Sequence, residues 1–165
     1  MKQYAFPVLL SITLIFLGSC ASTTKIYVVR HAEKAGAMSS DPPLTAAGVA
    51  RAERLAILLK AKHIRHIYST NTTRTISTAK PLATALGLPV ELYGHDTLSF
   101  FLSKIKASEK NTLVVGHSNT VLSIVSDLGV KPSIKEIGDG EYDNLFEVRI
   151  NKTGSKAPRL LEKKY

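Results

Sequence analysis

Cysteine is almost missing from this chain: among 165 residues only Cys20 carries a thiol, and tryptophan is absent. One thiol excludes an intramolecular disulfide, and it excludes a thiolate zinc cluster, which needs several Cys or His ligands at set spacing. No glycine-rich segment ends in Gly-Lys-Ser/Thr, so a Walker-type nucleotide site is excluded. Aromatic residues make up only 7% of the chain. No stripe of aromatics interleaved with basic residues speaks for single-stranded nucleic acid. Acidic residues are also scarce, 13 against 22 Lys and Arg, which leaves a formal charge of +9. Such an excess suits nucleic acid, an anionic membrane or a phosphorylated substrate. What is present is apolar surface: 44% hydrophobic residues build a core, and the length suits one domain. No internal repeat or low-complexity tract divides it.

The first residues read as an address. Lys2 supplies a positive start, and Tyr4 to Leu17 is apolar except at Pro7, Ser11 and Thr13. That run of about 14 residues falls short of the roughly 20 needed to span a bilayer, so it reads as a secretory signal. Leu17-Gly18-Ser19-Cys20 closes it with small residues before the cysteine and resembles the lipobox of bacterial lipoproteins. The resemblance implies cleavage after residue 19, lipidation of Cys20 and a tether over 20–24. Ala21 and Ser22 stand where an inner-membrane retention signal carries Asp, which implies an exported protein on the outer membrane, facing the periplasm.

From residue 25 onward, strand and helix signals alternate. Lys25 to Arg30 is rich in β-branched and aromatic residues and reads as a buried strand. Thr45 is the expected N-cap of a helix running to about Lys62. Strand Ile64 to Tyr68, helix Asn71 to Leu86, a weaker strand Leu88 to Leu92, helix Thr97 to Ser108, strand Thr112 to Val115 and helix Thr120 to Leu128 follow. Pro81 is expected to bend or interrupt the second helix. Leu145 to Ile150 and Pro158 to Leu161 read as late strands at or near an edge. The alternation predicts an α/β fold: a single three-layer domain over 25–165, with a mostly parallel sheet and helices on both faces.

In such sheets ligands gather at the carboxyl ends of the strands. The first strand ends in Arg30-His31-Ala32-Glu33-Lys34. The second leads through Ser69 to Arg74-Thr75 and Thr78-Ala79. The fourth ends in Gly116-His117-Ser118-Asn119. Two arginines and two histidines then share one pocket. An arginine fork matches phosphate oxygens, and a neutral imidazole is a nucleophile near pH 7. Helix N-termini just after the Arg30 and His117 loops are expected to add backbone donors.

These segments, in this order and together with Asp41-Pro42-Pro43-Leu44-Thr45, Gly48 and Arg51-Ala52, resemble the histidine phosphatase superfamily, which includes the phosphoglycerate mutases. The resemblance spans about Lys25 to Ile150 and implies a phosphoglycerate mutase-like fold. It makes His31 the nucleophile that becomes phosphohistidine, with Arg30, Arg74 and His117 holding the phosphoryl oxygens and no metal or cofactor required. The substrate implied is a phosphorylated small molecule or a phosphoprotein. Relatives of this short type carry an acid after the tyrosine that follows the third strand. Here Tyr93 is followed by Gly94-His95-Asp96. Asp96 is ranked first as the general acid, with capping of the next helix as its structural alternative. Glu91 and His95 are the other donors, and Glu33 is expected to orient the pocket.

Rival readings fare worse. Gly116-His117-Ser118 mimics a nucleophile elbow, but the second glycine is missing and no histidine follows Ser118, as the serine hydrolase order requires. His63 and His66 are three apart around a strand, a poor metal spacing. Asp139, Glu141 and Asp143 lie in a glycine-rich turn without the distal ligand of a calcium loop. A phosphate- or phosphoprotein-binding lipoprotein lacking a competent acid is the alternative from another class. A mutase is disfavoured by the signal segment and the short loops.

Overall fold

The computed structural model describes residues 23–36, 39–94, 96–154 and 156–165. The signal segment, Cys20, the start of the tether and His95 lie outside them. The elements run β1 (Thr23–Arg30), α1 (Ala46–Leu59), β2 (His66–Ser69), α2 (Thr73–Leu86), β3 (Val90–Leu92), α3 (Leu98–Ser108), β4 (Thr112–Gly116), α4 (Ser118–Asp127), β5 (Asn144–Asn151) and β6 (Arg159–Lys164). They form one six-stranded sheet in the order β3-β2-β4-β1-β5-β6.

Strand β1 lies inside the sheet, parallel to β4 on one side and antiparallel to β5 on the other. The β2 pairings with β3 and β4 are parallel, whereas β5 and β6 pair antiparallel. The sheet is therefore mixed. A parallel pair needs a crossover of a dozen or more residues, while antiparallel strands join through short turns. The β5 to β6 link is short and contains no helix, so the last two strands form a hairpin.

Alternation along β1 fixes the three layers. Ile26 and Val28 face a cluster with Phe101 and Ile105 of α3 and Val121 and Ile124 of α4. Tyr27 and Val29 face the opposite cluster, with Leu55 and Leu59 of α1 and Leu82 of α2. Complete burial of a Leu or Ile side chain stabilises by roughly 1.5–3 kcal/mol, so these facing stripes hold the helices on the sheet.

Local signals account for most boundaries. Thr45 caps α1, its hydroxyl accepting from the Gly48 N–H at 3.1 Å. Helix α1 stops at Leu59 rather than Lys62. Helix α2 runs unbroken through Pro81, against expectation. Its cost is the one backbone bond that Pro81 cannot donate, and the buried neighbours Leu82 and Ala83 keep that turn on the sheet. Helix α4 begins at Ser118, two residues early, with His117 as its N-cap. Between β1 and α1, residues 31–36 and 39–45 hold no helix, in keeping with the loop expected from Gly36, Pro42 and Pro43, and Lys34 makes an isolated bridge to Leu44.

Candidate active site

The carboxyl ends of β1, β2 and β4 open onto one cavity of about 530 Å³, whose lining includes Arg30, His31, Arg74, His117 and Asp139. Thus the four residues expected to share a pocket do share one.

His31 is 3% exposed. Its backbone N–H donates to the Gly116 carbonyl at 2.9 Å, which fixes the end of β1 to the end of β4. Its Nδ1 stands 2.8 Å from the Ala32 carbonyl oxygen. A carbonyl only accepts, so Nδ1 carries the proton and Nε2 keeps its lone pair. Burial, joined by the charges of Arg30, His117 and Arg74, pushes the His31 pKa down to about 4 against the weaker pull of the Ala32 bond. The ring is neutral at physiological pH.

His117 meets His31 edge to face, with ring centroids 5.5 Å apart. Its Nε2 lies 2.8 Å from the Thr70 hydroxyl, and that hydroxyl donates onward to Thr75 at 3.0 Å. The chain of donors places the proton on Nε2 and leaves Nδ1 as acceptor, 3.5 Å from Nη2 of Arg74. Burial, then the charges of Arg74 and Arg30, lowers the His117 pKa, with Asp41 pulling the other way.

The arginines are held differently. Arg30 is buried, and its Nη1 donates to the carbonyls of Gly138, Asp139 and Glu141 at 2.7, 3.2 and 3.1 Å. Its guanidinium also lies 4.4 Å from the centre of the Tyr142 ring. Arg74 donates to Asp41 from Nη1 at 3.3 Å. The Asp41 carboxylate accepts mainly from Thr73, through the backbone N–H at 2.9 Å and the hydroxyl at 2.6 Å, which ties the loop after β1 to the start of α2. Those two bonds, followed by Arg74, lower the Asp41 pKa. The buried Nε of Arg30 and that of Arg74 find no acceptor among the described residues. Unpaired buried donors are rare and costly, and both belong to residues that line the cavity.

The candidate acids are scattered. Asp96 lines a separate cavity beside α3, with Leu98, Leu102, Lys106 and Asp127, and Thr97 rather than Asp96 is the N-cap of α3. Glu91 bonds to His66 at 3.0 Å and to Lys104 at 3.2 Å. Glu33 is clamped by Arg51, with contacts from 2.7 to 2.9 Å, and so turns to α1 rather than to the cavity. The carboxylate that does line the cavity is Asp139, fully exposed, with an oxygen 4.0 Å from Nη2 of Arg30. Among the described residues no three His, Cys, Asp or Glu cluster closely enough to hold a metal ion.

The sequence reading gave Thr70 and Lys34 no role of their own, and it missed Tyr142 and the carbonyl cradle of residues 138–141. Thr70 directly follows the parallel strand β2, where a ligand-facing side chain is expected. The cradle is built from backbone, which leaves no side-chain signature.

Fold and cavity together define an α/β domain with two arginines and two histidines gathered at its strand ends, and comparison with known proteins shows what it resembles. Residues 26–95 match the model of the histidine phosphatase superfamily (branch 1). The protein histidine phosphatase SixA, solved with tungstate, superposes with a TM-score of 0.68 at 20% identity, over 86% of this chain and 97% of its own. A mycobacterial glucosyl-3-phosphoglycerate phosphatase gives 0.66 at 13% identity, over 87% and 98%. A protein from Agrobacterium tumefaciens named as a phosphohistidine phosphatase SixA gives 0.61 at 22%, over 86% and 99%. No curated protein sequence matches. The chain has the fold of the histidine phosphatase superfamily and, over residues 26–95, its sequence pattern.

Proposed function

We propose that this protein is a phosphatase that works without a metal, through a phosphohistidine formed on His31. The observation that carries the reading is one cavity lined by Arg30, Arg74, His117 and a neutral His31. A tetrahedral oxyanion supplies acceptors for the guanidinium groups that line it.

In the first step the Nε2 lone pair of His31 forms a bond to phosphorus, and the bond to the leaving group breaks with its electron pair. The Nδ1 proton, held on the Ala32 carbonyl, keeps the ring in the reactive tautomer and supports the charge it acquires. Arg30 and Arg74 bind the phosphoryl oxygens as negative charge spreads over them. A bound dianion raises the proton affinity of His117, whose Nδ1 then becomes a third donor. In the second step water attacks phosphorus and restores His31.

Asp96 faces its own cavity, which favours leaving groups that depart with little protonation. An aryl oxide or an imidazole fits that requirement better than an alkoxide. The SixA proteins that share this fold are named for phosphohistidine, and a phosphorylated protein side chain of that kind is the substrate class proposed here. The N-terminal reading completes the proposal: an exported protein, lipidated on Cys20 and facing the periplasm. Labelled palmitate retained by the wild type and lost in Cys20→Ser tests that part.

The catalytic test is to trap an acid-labile phosphoenzyme with an aryl phosphate and with a phosphohistidine peptide, comparing the wild type with His31→Ala. Trapped phosphate and turnover in the wild type alone support the reading. Turnover that survives His31→Ala removes the nucleophile, and binding without turnover in either favours a phosphate-binding lipoprotein.

A further inference from the structure

The pole of the sheet opposite the cavity carries its own chemistry. Strands β1, β2 and β4 are parallel, so their first residues, Thr23, His66 and Thr112, share one end, and the register of β5 on β1 brings Asn151 there beside Thr23. Two hollows flank Thr23. One, of about 380 Å³, is lined in part by Arg65, Lys110 and Lys152. The other, of about 210 Å³, is lined by Arg149, Lys156 and Arg159. Glu109 is the acidic residue in the first hollow, and its contact to Lys152 is a long 3.8 Å. The second hollow has no acidic lining residue among those described. Arg65, Lys110, Lys156 and Arg159 are all exposed.

This basic pole is also where the chain enters the fold. Thr23 lies three residues after Cys20, and Cys20 ends the apolar run. Residues this close to an anchor are held within about 10 Å of it, since an extended chain covers only about 3.3–3.6 Å per residue. Strand β1 then runs seven steps of about 3.3 Å to Arg30, so the catalytic cavity lies roughly 23 Å away at the other pole.

We infer that the basic pole docks on an anionic bilayer, with lipid phosphates seated in the two hollows and the catalytic cavity turned away from the membrane. Basic residues near such a surface act cooperatively with an apolar or acyl anchor, which alone binds weakly and reversibly. The pose leaves the His31 cavity open to macromolecular substrates in solution.

The test uses the full chain with Cys20→Ser, so that its outcome does not depend on lipidation. A single environment-sensitive fluorophore is placed at Ala157→Cys in the basic pole or at Asn119→Cys by the cavity. Each chain is mixed with vesicles of phosphatidylcholine alone or with about a third phosphatidylglycerol. The expected result is a blue shift at 157 with the anionic vesicles, reversed by high salt, and none at 119. The combined Arg65→Glu, Lys110→Glu and Arg159→Glu variant should need at least about 100-fold more lipid for the same shift, at roughly a factor of five per basic residue removed. Equal shifts at both positions, an equal shift with neutral vesicles, or no shift at 157 would overturn the inference, as would nucleic acid evoking the shift at lower concentration than the vesicles. The salt arm needs no charge-reversal variant, so misfolding of the triple variant cannot shield the proposal.

Discussion

Acidification separates a buried, neutral His31 from a solvent-like one. Burial is the leading cause that takes its pKa from 6.5 to about 4, ahead of the charges of Arg30, His117 and Arg74. That interval corresponds to about 3 kcal/mol at 1.36 kcal/mol per unit. Between pH 6.5 and 4 the unfolded chain takes up a proton that the folded chain refuses. Stability therefore falls as pH drops through that window, is lost fully below about 4, and is untouched by this group above 6.5. At pH 5 a ring with a pKa of 4 is about 90% neutral, against about 3% for one at 6.5. Two assays follow: imidazole nitrogen shifts by NMR, and urea denaturation at pH 7 and pH 5. The wild type should lose about 2 kcal/mol more than His31→Gln between those two pH values, the equivalent of 1.5 units. Arg74→Gln should raise the NMR midpoint by less than half of the total shift, because burial leads. A wild-type midpoint at or above 6 would refute the neutral nucleophile. Full recovery of the ordinary value in Arg74→Gln would refute burial as the main cause.

Two further outcomes follow from close packing around the same sheet. Gly48→Ala should lower stability by about 2 kcal/mol or more, because a Cβ there would sit 2.3 Å from the Glu33 carbonyl oxygen and both sides are backbone; an unchanged urea midpoint would show that the α1 approach is looser than described. Glu147, 2% exposed, accepts from Arg149 at 2.7 Å and Lys163 at 2.6 Å. Burial alone would raise its pKa, but those bonds lower it overall, so its contribution is present above the ordinary carboxylate range and fades as pH falls through the depressed value. Glu147→Gln should cost about 1–3 kcal/mol at pH 7 and flatten the acid side of the stability profile. A parallel profile in the variant would count against that pairing.

The fold was legible wherever one signal decided an element. Lys25 to Arg30 could only be a buried strand, and the periodic spacing of Leu55 and Leu59 placed α1 on the sheet. The four site residues were legible for a related reason: Arg30, His31 and His117 sit at or directly after the ends of the parallel strands β1 and β4, and Arg74 lies in the first turn of the helix that follows β2. Legibility failed where two weak signals competed. Either Asp96 or Thr97 can cap a helix, and a one-residue choice decides whether the Asp96 carboxylate is tied to the helix end. Strand direction was the other gap: Leu145 to Ile150 has the pattern of a strand, but its antiparallel pairing on β1 is set by the loop from α4, not by its own residues.

The placement of the acids explains how the cavity keeps its positive field. A buried arginine is commonly paired with a carboxylate, and such a pair has little net charge to offer a ligand. Here Arg30 is held mainly by three carbonyl oxygens and the face of Tyr142, and the nearest carboxylate, that of Asp139, is fully exposed at 4.0 Å. The carbonyls hold its Nη1 without cancelling its charge. Glu33, only two residues from His31, would be the natural quencher, but Arg51 takes both its oxygens. Asp41 does touch Arg74, yet most of its hydrogen bonding goes to Thr73 at the start of α2. Two guanidinium groups thus keep much of their field, and each has a buried Nε without an acceptor among the described residues. The same field adds to burial in holding the proton off His31, and in the proposed reaction it would also stabilise the phosphoryl group that His31 receives.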